Sequence, residues 1–128
     1  MEFVTVVIIL ALIEYMYFGA MAGQARVKYG VEAPATTGNP IFERTLRVQQ
    51  NTLEQLVVFL PSIWFFATYV NPFIAALLGI VFIVGRFVYF TGYVADPSKR
   101  TTGFLITFVA NVVLALGGLV GAIMVWVG

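Results

Sequence analysis

Three runs of apolar residues, each long enough to cross a lipid bilayer, constrain this chain more than any other feature of its sequence. They cover Phe3–Gly23, Phe73–Ala95 and Phe104–Val127, and a shorter fourth run covers Leu56–Val70. A helix that spans the hydrocarbon core needs about 20 predominantly apolar residues. The sequence therefore predicts an all-α, integral membrane protein with four helices.

The composition supports a membrane protein that forms a single domain. Of the 128 residues, 61% are hydrophobic and only 10% are charged, whereas a soluble domain carries about 25% charged residues. At roughly 100–200 residues per domain, residues 1–128 form one domain. Seven Lys and Arg against six Asp and Glu give a net charge of +1, which offers no basic surface for nucleic acid.

The chain contains no cysteine and no histidine, which excludes several kinds of chemistry. Disulfides, thiolate or imidazole metal sites, and Cys or Ser–His nucleophiles are ruled out, and we expect no metal. Any reaction must use Arg, Tyr, Glu, Asn and Gln side chains, or a thiol supplied by the substrate.

The connections between the apolar runs predict the topology. The first, from Arg26 to about Phe42, is rich in turn-forming residues, the second is only Asn71–Pro72, and the third begins with Asp96–Pro97. Most basic residues lie in or beside the first and third connections: Arg26, Lys28, Arg44, Arg47, Lys99 and Arg100. The positive-inside rule places both connections in the cytosol, which predicts an up-down bundle with both termini on the other side.

The second helix carries polar residues into the membrane. The residues from Glu43 to Val70 predict one helix, of which the apolar part, Leu56–Val70, is only ~22 Å long at 1.5 Å per residue. Because the hydrocarbon core is about 30 Å thick, the preceding Asn51 and Glu54 must lie at or inside its cytosolic edge.

The third helix brings a second charge to the same depth. Arg86 lies ~21 Å along this helix from Pro72, and Glu54 lies ~24 Å from Val70, at the same side of the membrane. An ionisable group inside a membrane almost always faces a partner or a cavity within the bundle. The simplest interpretation is a structural ion pair between Arg86 and Glu54.

Glu54 and Arg86 each belong to a stripe of polar residues along one face of their helix. Arg47, Asn51 and Glu54 follow helical spacing on the second helix, and Arg86, Tyr89 and Tyr93 follow it on the third. Two such stripes exceed what one ion pair requires, and a half-satisfied buried network costs more than an apolar core. Guanidinium, carboxylate, amide and phenol groups together suit a short zwitterionic peptide as ligand.

Two motifs on the second and third helices together form a recognisable pattern. The first motif comprises Thr36-Thr37-Gly38-Asn39-Pro40, Phe42-Glu43-Arg44, Arg47-Val48-Gln49, Asn51 and Glu54. The second comprises Gly85-Arg86, Tyr89, Gly92-Tyr93 and Asp96-Pro97-Ser98-Lys99-Arg100. Both resemble motifs of the MAPEG family, the membrane-associated proteins in eicosanoid and glutathione metabolism, and are most similar to those of its microsomal glutathione S-transferase members. One departure is Gln55, where many members have tyrosine.

The resemblance implies a fold, an activity and a site. It implies a homotrimer of four-helix bundles that binds glutathione as co-substrate between protomers, without a metal, and conjugates it to lipophilic electrophiles in detoxification; a peroxidase activity stays open. The glutathione-binding residues it implies are Arg47, Gln49, Asn51 and Glu54 from one protomer, and Arg86, Tyr89 and Tyr93 from the next. Arg100 would be the catalytic residue that stabilises the thiolate, although spacing alone does not separate it from Lys99. The membrane would be the endoplasmic reticulum or a bacterial inner membrane.

Two other functions are compatible with the sequence. A small multidrug transporter also has four helices and an isolated acidic residue in the first, as Glu14 is here. A non-catalytic, lipid-binding scaffold would have the same fold. Asn111 on the fourth helix is expected to form an interhelical hydrogen bond.

Overall fold

The computed structural model describes all 128 residues as four long α-helices with short connections. Helix α1 spans Glu2–Lys28, α2 spans Pro40–Tyr69, α3 spans Pro72–Ala95 and α4 spans Arg100–Val127. A short 3-10 helix, Pro97–Lys99, precedes α4. The predicted all-α architecture with four helices is confirmed.

Local capping explains why α2 begins three residues earlier than the predicted Glu43. The Asn39 side chain accepts hydrogen bonds from the backbone N–H groups of Ile41 and Phe42, and Pro40 occupies the first turn. An asparagine cap followed by proline is a favourable helix start, because proline lacks the N–H that would have no partner there. Pro61 lies inside α2 and does not end it.

The predicted connections are found with small shifts. Helix α1 continues to Lys28, so that Arg26 lies in its last turn rather than in the loop. The tight turn between α2 and α3 is confirmed, and the Asn71 side chain caps α3 by accepting from the backbone N–H of Ile74.

Helices α2 and α3 form the centre of the bundle, since each packs against the other and against both α1 and α4. Phe59 of α2 and Phe82 of α3 are fully buried and stack with ring centroids 3.9 Å apart. Small residues bring α3 and α4 close together, because a Cβ at Gly103 would collide with the Tyr89 backbone. This close approach positions the polar residues of α3 next to the start of α4.

Three helical segments are long and apolar enough to cross a membrane: Glu2–Lys28, Pro72–Ala95 and Pro97–Val127. Their outward faces carry large apolar side chains, among them Leu10, Leu77 and Leu116, each about half exposed. Such a surface is suited to lipid. Helix α2 is less apolar because its first half carries the polar stripe.

Candidate functional site

A polar cavity of about 250 Å³ lies where α2, α3 and the start of α4 meet. Its lining residues are Arg47, Asn51, Tyr89, Tyr93, Arg100, Thr101 and Phe104. Five of these are among the eight residues that the sequence identified as candidates, and they come from three helices of one chain. We call this cavity the polar pocket.

Arg86 lies behind the polar pocket and is completely buried. Its Nη1 donates hydrogen bonds to Asn51 Oδ1 at 2.7 Å and to Thr52 Oγ1 at 3.4 Å, and its Nε donates to Thr107 Oγ1 at 3.1 Å. The guanidinium also lies over the Tyr89 ring, 4.5 Å from the ring centroid. Arg86 therefore holds two pocket-lining residues, Asn51 and Tyr89, rather than lining the pocket itself.

The predicted ion pair between Arg86 and Glu54 is wrong. Glu54 Oε2 instead lies 3.2 Å from Arg47 Nη1 on its own helix, and Asn51 Nδ2 donates to Glu54 Oε1 at 3.5 Å. Asn51 stands between the two charges and offers its oxygen to Arg86 and its nitrogen to Glu54. The lengths along the two helices correctly placed Arg86 level with the polar residues of α2, but they did not reveal that the Asn51 amide lies between the two charges.

Gln49 lies apart from the other candidates. Its Nε2 is only 3.1 Å from where a Cβ on Gly19 of α1 would be, so its side chain packs toward α1 and not into the polar pocket. Arg47 and Asn51 of α2 line the polar pocket together with Tyr89 and Tyr93 of α3 within one chain. The expected division of the site between two protomers stays a prediction.

The turn before α4 determines which basic residue reaches the polar pocket. Arg100 is the first residue of α4 and lines the pocket, whereas Lys99 is not among the lining residues. The Asp96 side chain holds this turn by accepting hydrogen bonds from the Ser98 backbone N–H at 3.0 Å and hydroxyl at 2.9 Å. These two bonds, with smaller contributions from nearby positive charges, hold the pKa of Asp96 below its usual range.

Several contributing residues were not identified from the sequence. Thr52 and Thr107 supply neutral oxygens to Arg86, and Thr101 and Phe104 complete the lining. Gly103 and Thr107 are one helical turn apart on the buried face of α4. A small residue followed one turn later by a hydroxyl would have indicated close packing with hydrogen bonding.

A largely apolar groove lies between α2 and α4, where Gln55 and Phe108 follow the pocket residues Asn51 and Phe104 by one helical turn. One part, of about 440 Å³, is lined by Gln55, Val58, Phe108, Asn111, Val112, Ala115 and Leu116. A second part, of about 360 Å³, is lined by Ser62, Phe65, Tyr69, Leu114, Ala115, Gly118, Leu119 and Ala122. We call the two parts the α2–α4 groove. The predicted interhelical hydrogen bond of Asn111 is confirmed, because its Nδ2 donates to Gln55 Oε1 at 3.1 Å.

Glu14 of α1 is a second buried ionisable residue, only 9% exposed. It forms no ion pair in the chain, whose salt bridges are Met1–Glu2 and Arg47–Glu54. Glu14 Oε1 and Arg86 Nη2 are both buried without a hydrogen-bond partner in the chain.

Comparison with known proteins identifies the family. The MAPEG family matches the chain over residues 4–120. The chain belongs to the MAPEG family. Among its relatives, human microsomal glutathione S-transferase 2 is 42% identical over 113 residues, 88% of this chain and 77% of the relative. An uncharacterized Synechocystis protein is 50% identical over 110 residues, 86% of this chain and 80% of the relative. Leukotriene C4 synthase from Cavia porcellus is 36% identical over 94 residues, 73% and 63% respectively.

Family membership and three apolar helices together make the chain an integral membrane protein. Membership in this family also argues against a small multidrug transporter, the alternative that the isolated Glu14 had left open.

Proposed function

We propose that this protein is a membrane glutathione transferase that binds glutathione in the polar pocket and activates its thiol with Arg100. The observation that carries the proposal is the pocket itself, which combines Arg47 and Arg100 with amide and phenol groups, one helical turn from a largely apolar groove. The human relative is a glutathione S-transferase by name and covers most of the chain.

The charges of the pocket match those of glutathione, a tripeptide with two carboxylates and one ammonium group. Arg47 offers a guanidinium to a carboxylate, and Glu54 offers a carboxylate to the ammonium. In the single chain these two side chains pair with each other, 3.2 Å apart, so that Glu54 adjoins the pocket-lining Arg47 without lining the pocket itself. Asn51 and Tyr93 add neutral hydrogen-bonding groups. Arg86, although predicted as a binding residue, would act through Asn51 and Tyr89.

Arg100 supplies the electrostatic part of catalysis. A cysteine-type thiol has a pKa of about 8.5, and lowering it by two units requires ~2.7 kcal/mol of differential stabilisation. One guanidinium at ~4 Å is worth up to ~4 kcal/mol at an effective dielectric constant of about 20. The start of α4 adds a partial positive charge, because Arg100 and Thr101 place the helix N-terminus at the pocket. No histidine base and no metal are needed.

The electrophile would approach through the α2–α4 groove, whose lining is mostly apolar. The thiolate sulfur forms a bond to the electrophilic carbon, and the leaving group departs with the bonding electron pair. The same thiolate could reduce a lipid hydroperoxide, in which two glutathiones become the disulfide and the peroxide becomes an alcohol and water.

Assembly as a homotrimer would complete the site. In the single chain, the side chains of Arg47 and Glu54 are 45% and 56% exposed, although both belong to the stripe that enters the membrane edge. Lipid does not solvate such charges, whereas a neighbouring protomer can cover them. Chemical cross-linking and the mass of the detergent-solubilised particle test this stoichiometry.

The function is tested with purified protein, glutathione and either 1-chloro-2,4-dinitrobenzene or cumene hydroperoxide. Wild-type protein should conjugate the halide, R100A should lose most of the turnover, and the neighbouring K99A should retain it. Glutathione binding without turnover of either substrate would instead identify a non-catalytic scaffold. Equal turnover in wild type and R100A would remove Arg100 from the mechanism.

A further inference from the structure

One amide in the α2–α4 groove is held in a fixed orientation. Asn111 Nδ2 donates to the backbone oxygen of Gln55 at 3.3 Å and to its side-chain Oε1 at 3.1 Å. A backbone carbonyl only accepts hydrogen bonds, which determines the side of the Asn111 amide that faces Gln55. The Gln55 side chain must therefore turn its oxygen toward Asn111 and its nitrogen away from it.

The Gln55 nitrogen is left as a free donor in apolar surroundings. Its N–H groups make no hydrogen bond within the chain, and Gln55 lines the groove together with Val58, Phe108 and Val112. The Gln55 side chain is partly exposed in the groove. Its N–H groups are therefore accessible to a ligand in the groove that carries a hydrogen-bond acceptor.

The donor also lies close to the reaction site. Gln55 follows Asn51 of the polar pocket by four residues, which is ~6 Å along the helix axis. A molecule that extends from the polar pocket into the groove therefore passes the amide within its first few bonds.

We propose that Gln55 is a specificity-determining residue that donates a hydrogen bond to an oxygen atom of the lipophilic electrophile, and that Asn111 is its positioning residue. This inference rests on the proposed transferase function. It assigns the substrates to oxygen-bearing lipids such as unsaturated aldehydes, in preference to simple alkyl halides. In such an aldehyde the thiolate bonds to the β-carbon, the electron pair of the double bond moves to the carbonyl oxygen, and the α-carbon takes a proton from water.

The test compares 2-nonenal, which has a carbonyl oxygen, with 1-iodooctane, which has no oxygen and loses iodide on attack. We expect Q55L to lower kcat/KM for 2-nonenal about tenfold, equivalent to about 1.4 kcal/mol, after subtraction of the uncatalysed reaction. The rate with 1-iodooctane should change less than twofold. N111L should act in the same direction as Q55L, because it frees the Gln55 amide to rotate. V58L, which also lines the groove, is the control and should not discriminate between the substrates.

The outcomes separate this inference from the proposed function. If wild type conjugates 1-iodooctane and Q55L lowers kcat/KM equally for both substrates, Gln55 does not recognise the carbonyl oxygen. The proposed transferase function still stands in that case. Turnover of neither substrate by wild type would overturn both proposals. A changed oligomeric state of Q55L, seen by light scattering, would assign the groove to packing between protomers and also overturn the inference.

Discussion

Replacement of Thr107 by valine tests the network around Arg86 with little change of shape. Thr107 is completely buried, its hydroxyl accepts from Arg86 Nε at 3.1 Å, and it donates to the backbone oxygen of Gly103 at 2.9 Å. Valine fills nearly the same volume, so that no cavity forms. The main loss is the acceptor for a charged, buried donor.

The size of the stability loss in T107V follows from the lack of another acceptor for Arg86. Arg86 Nη2 already has no hydrogen-bond partner in the chain, and without Thr107 the Nε–H would have none either. Leaving a charged donor unsatisfied costs about 1.5–3 kcal/mol. At roughly 4 °C per kcal/mol for a chain of this size, the melting temperature of T107V should fall by roughly 6–12 °C.

The assay is thermal unfolding in detergent, followed by circular dichroism at 222 nm. T102V is the matched control, because Thr102 is exposed on the same helix. In an R86M background, T107V should lower the free energy of unfolding by less than about 0.5 kcal/mol, since the Arg86 donor is absent. If T107V and T102V have the same melting temperature, or if T107V lowers the melting temperature equally in the wild-type and R86M backgrounds, the hydrogen bond does not hold Arg86. Our account of the network is then wrong.

Three further variants test other parts of the site. R100A should still bind glutathione but raise the pKa of the bound thiol by about two units, toward 8.5; thiolate absorbance near 240 nm against pH measures this, and an unchanged midpoint contradicts it. G103A should lower the free energy of unfolding by about 1–3 kcal/mol, because its Cβ would collide with the backbone of α3. G23A is the control: its Cβ would meet nothing within 4 Å, and its melting temperature should equal or exceed that of the wild type. E14L should lower the melting temperature more than E14Q, because only glutamine keeps a polar group near Arg86; equal melting would show that Glu14 does not support Arg86.

The helices were predictable because membrane segments and caps have strong local signals. Runs of about 20 apolar residues are typical of membrane-spanning helices, and asparagine–proline pairs begin both α2 and α3. The depth expected for Asn51 and Glu54 rests on the length of the apolar run alone and stays a prediction. Four of the five candidates that line the polar pocket, Arg47, Asn51, Tyr89 and Tyr93, were recognisable because they repeat at helical spacing, which places each pair on one face of its helix without knowledge of how the helices pack. The fifth, Arg100, was indicated only by the family resemblance.

The partners of Arg86 were not predictable, because they depend on which helices approach most closely. Charge pairing favours Glu54, but close packing at Gly103 brings α4 against α3 and delivers Thr107 to the guanidinium instead. Neither glycine nor threonine has a charge or a strong periodicity that would attract notice in the sequence. Gln49 was misplaced for a similar reason, since it is adjacent to the polar stripe in sequence yet turns toward α1.

The choice of neutral partners for Arg86 has a consequence for the site. Had Arg86 paired directly with Glu54, the Glu54 carboxylate would be neutralised by a buried guanidinium. Hydrogen bonds to Asn51, Thr52 and Thr107 hold the guanidinium without consuming the carboxylate. Glu54 thereby keeps the partly exposed Arg47 as its ion-pair partner, a pair that a zwitterionic ligand can replace with charges of its own. An arginine buried among hydroxyl and amide oxygens therefore keeps the acidic half of the proposed binding site available.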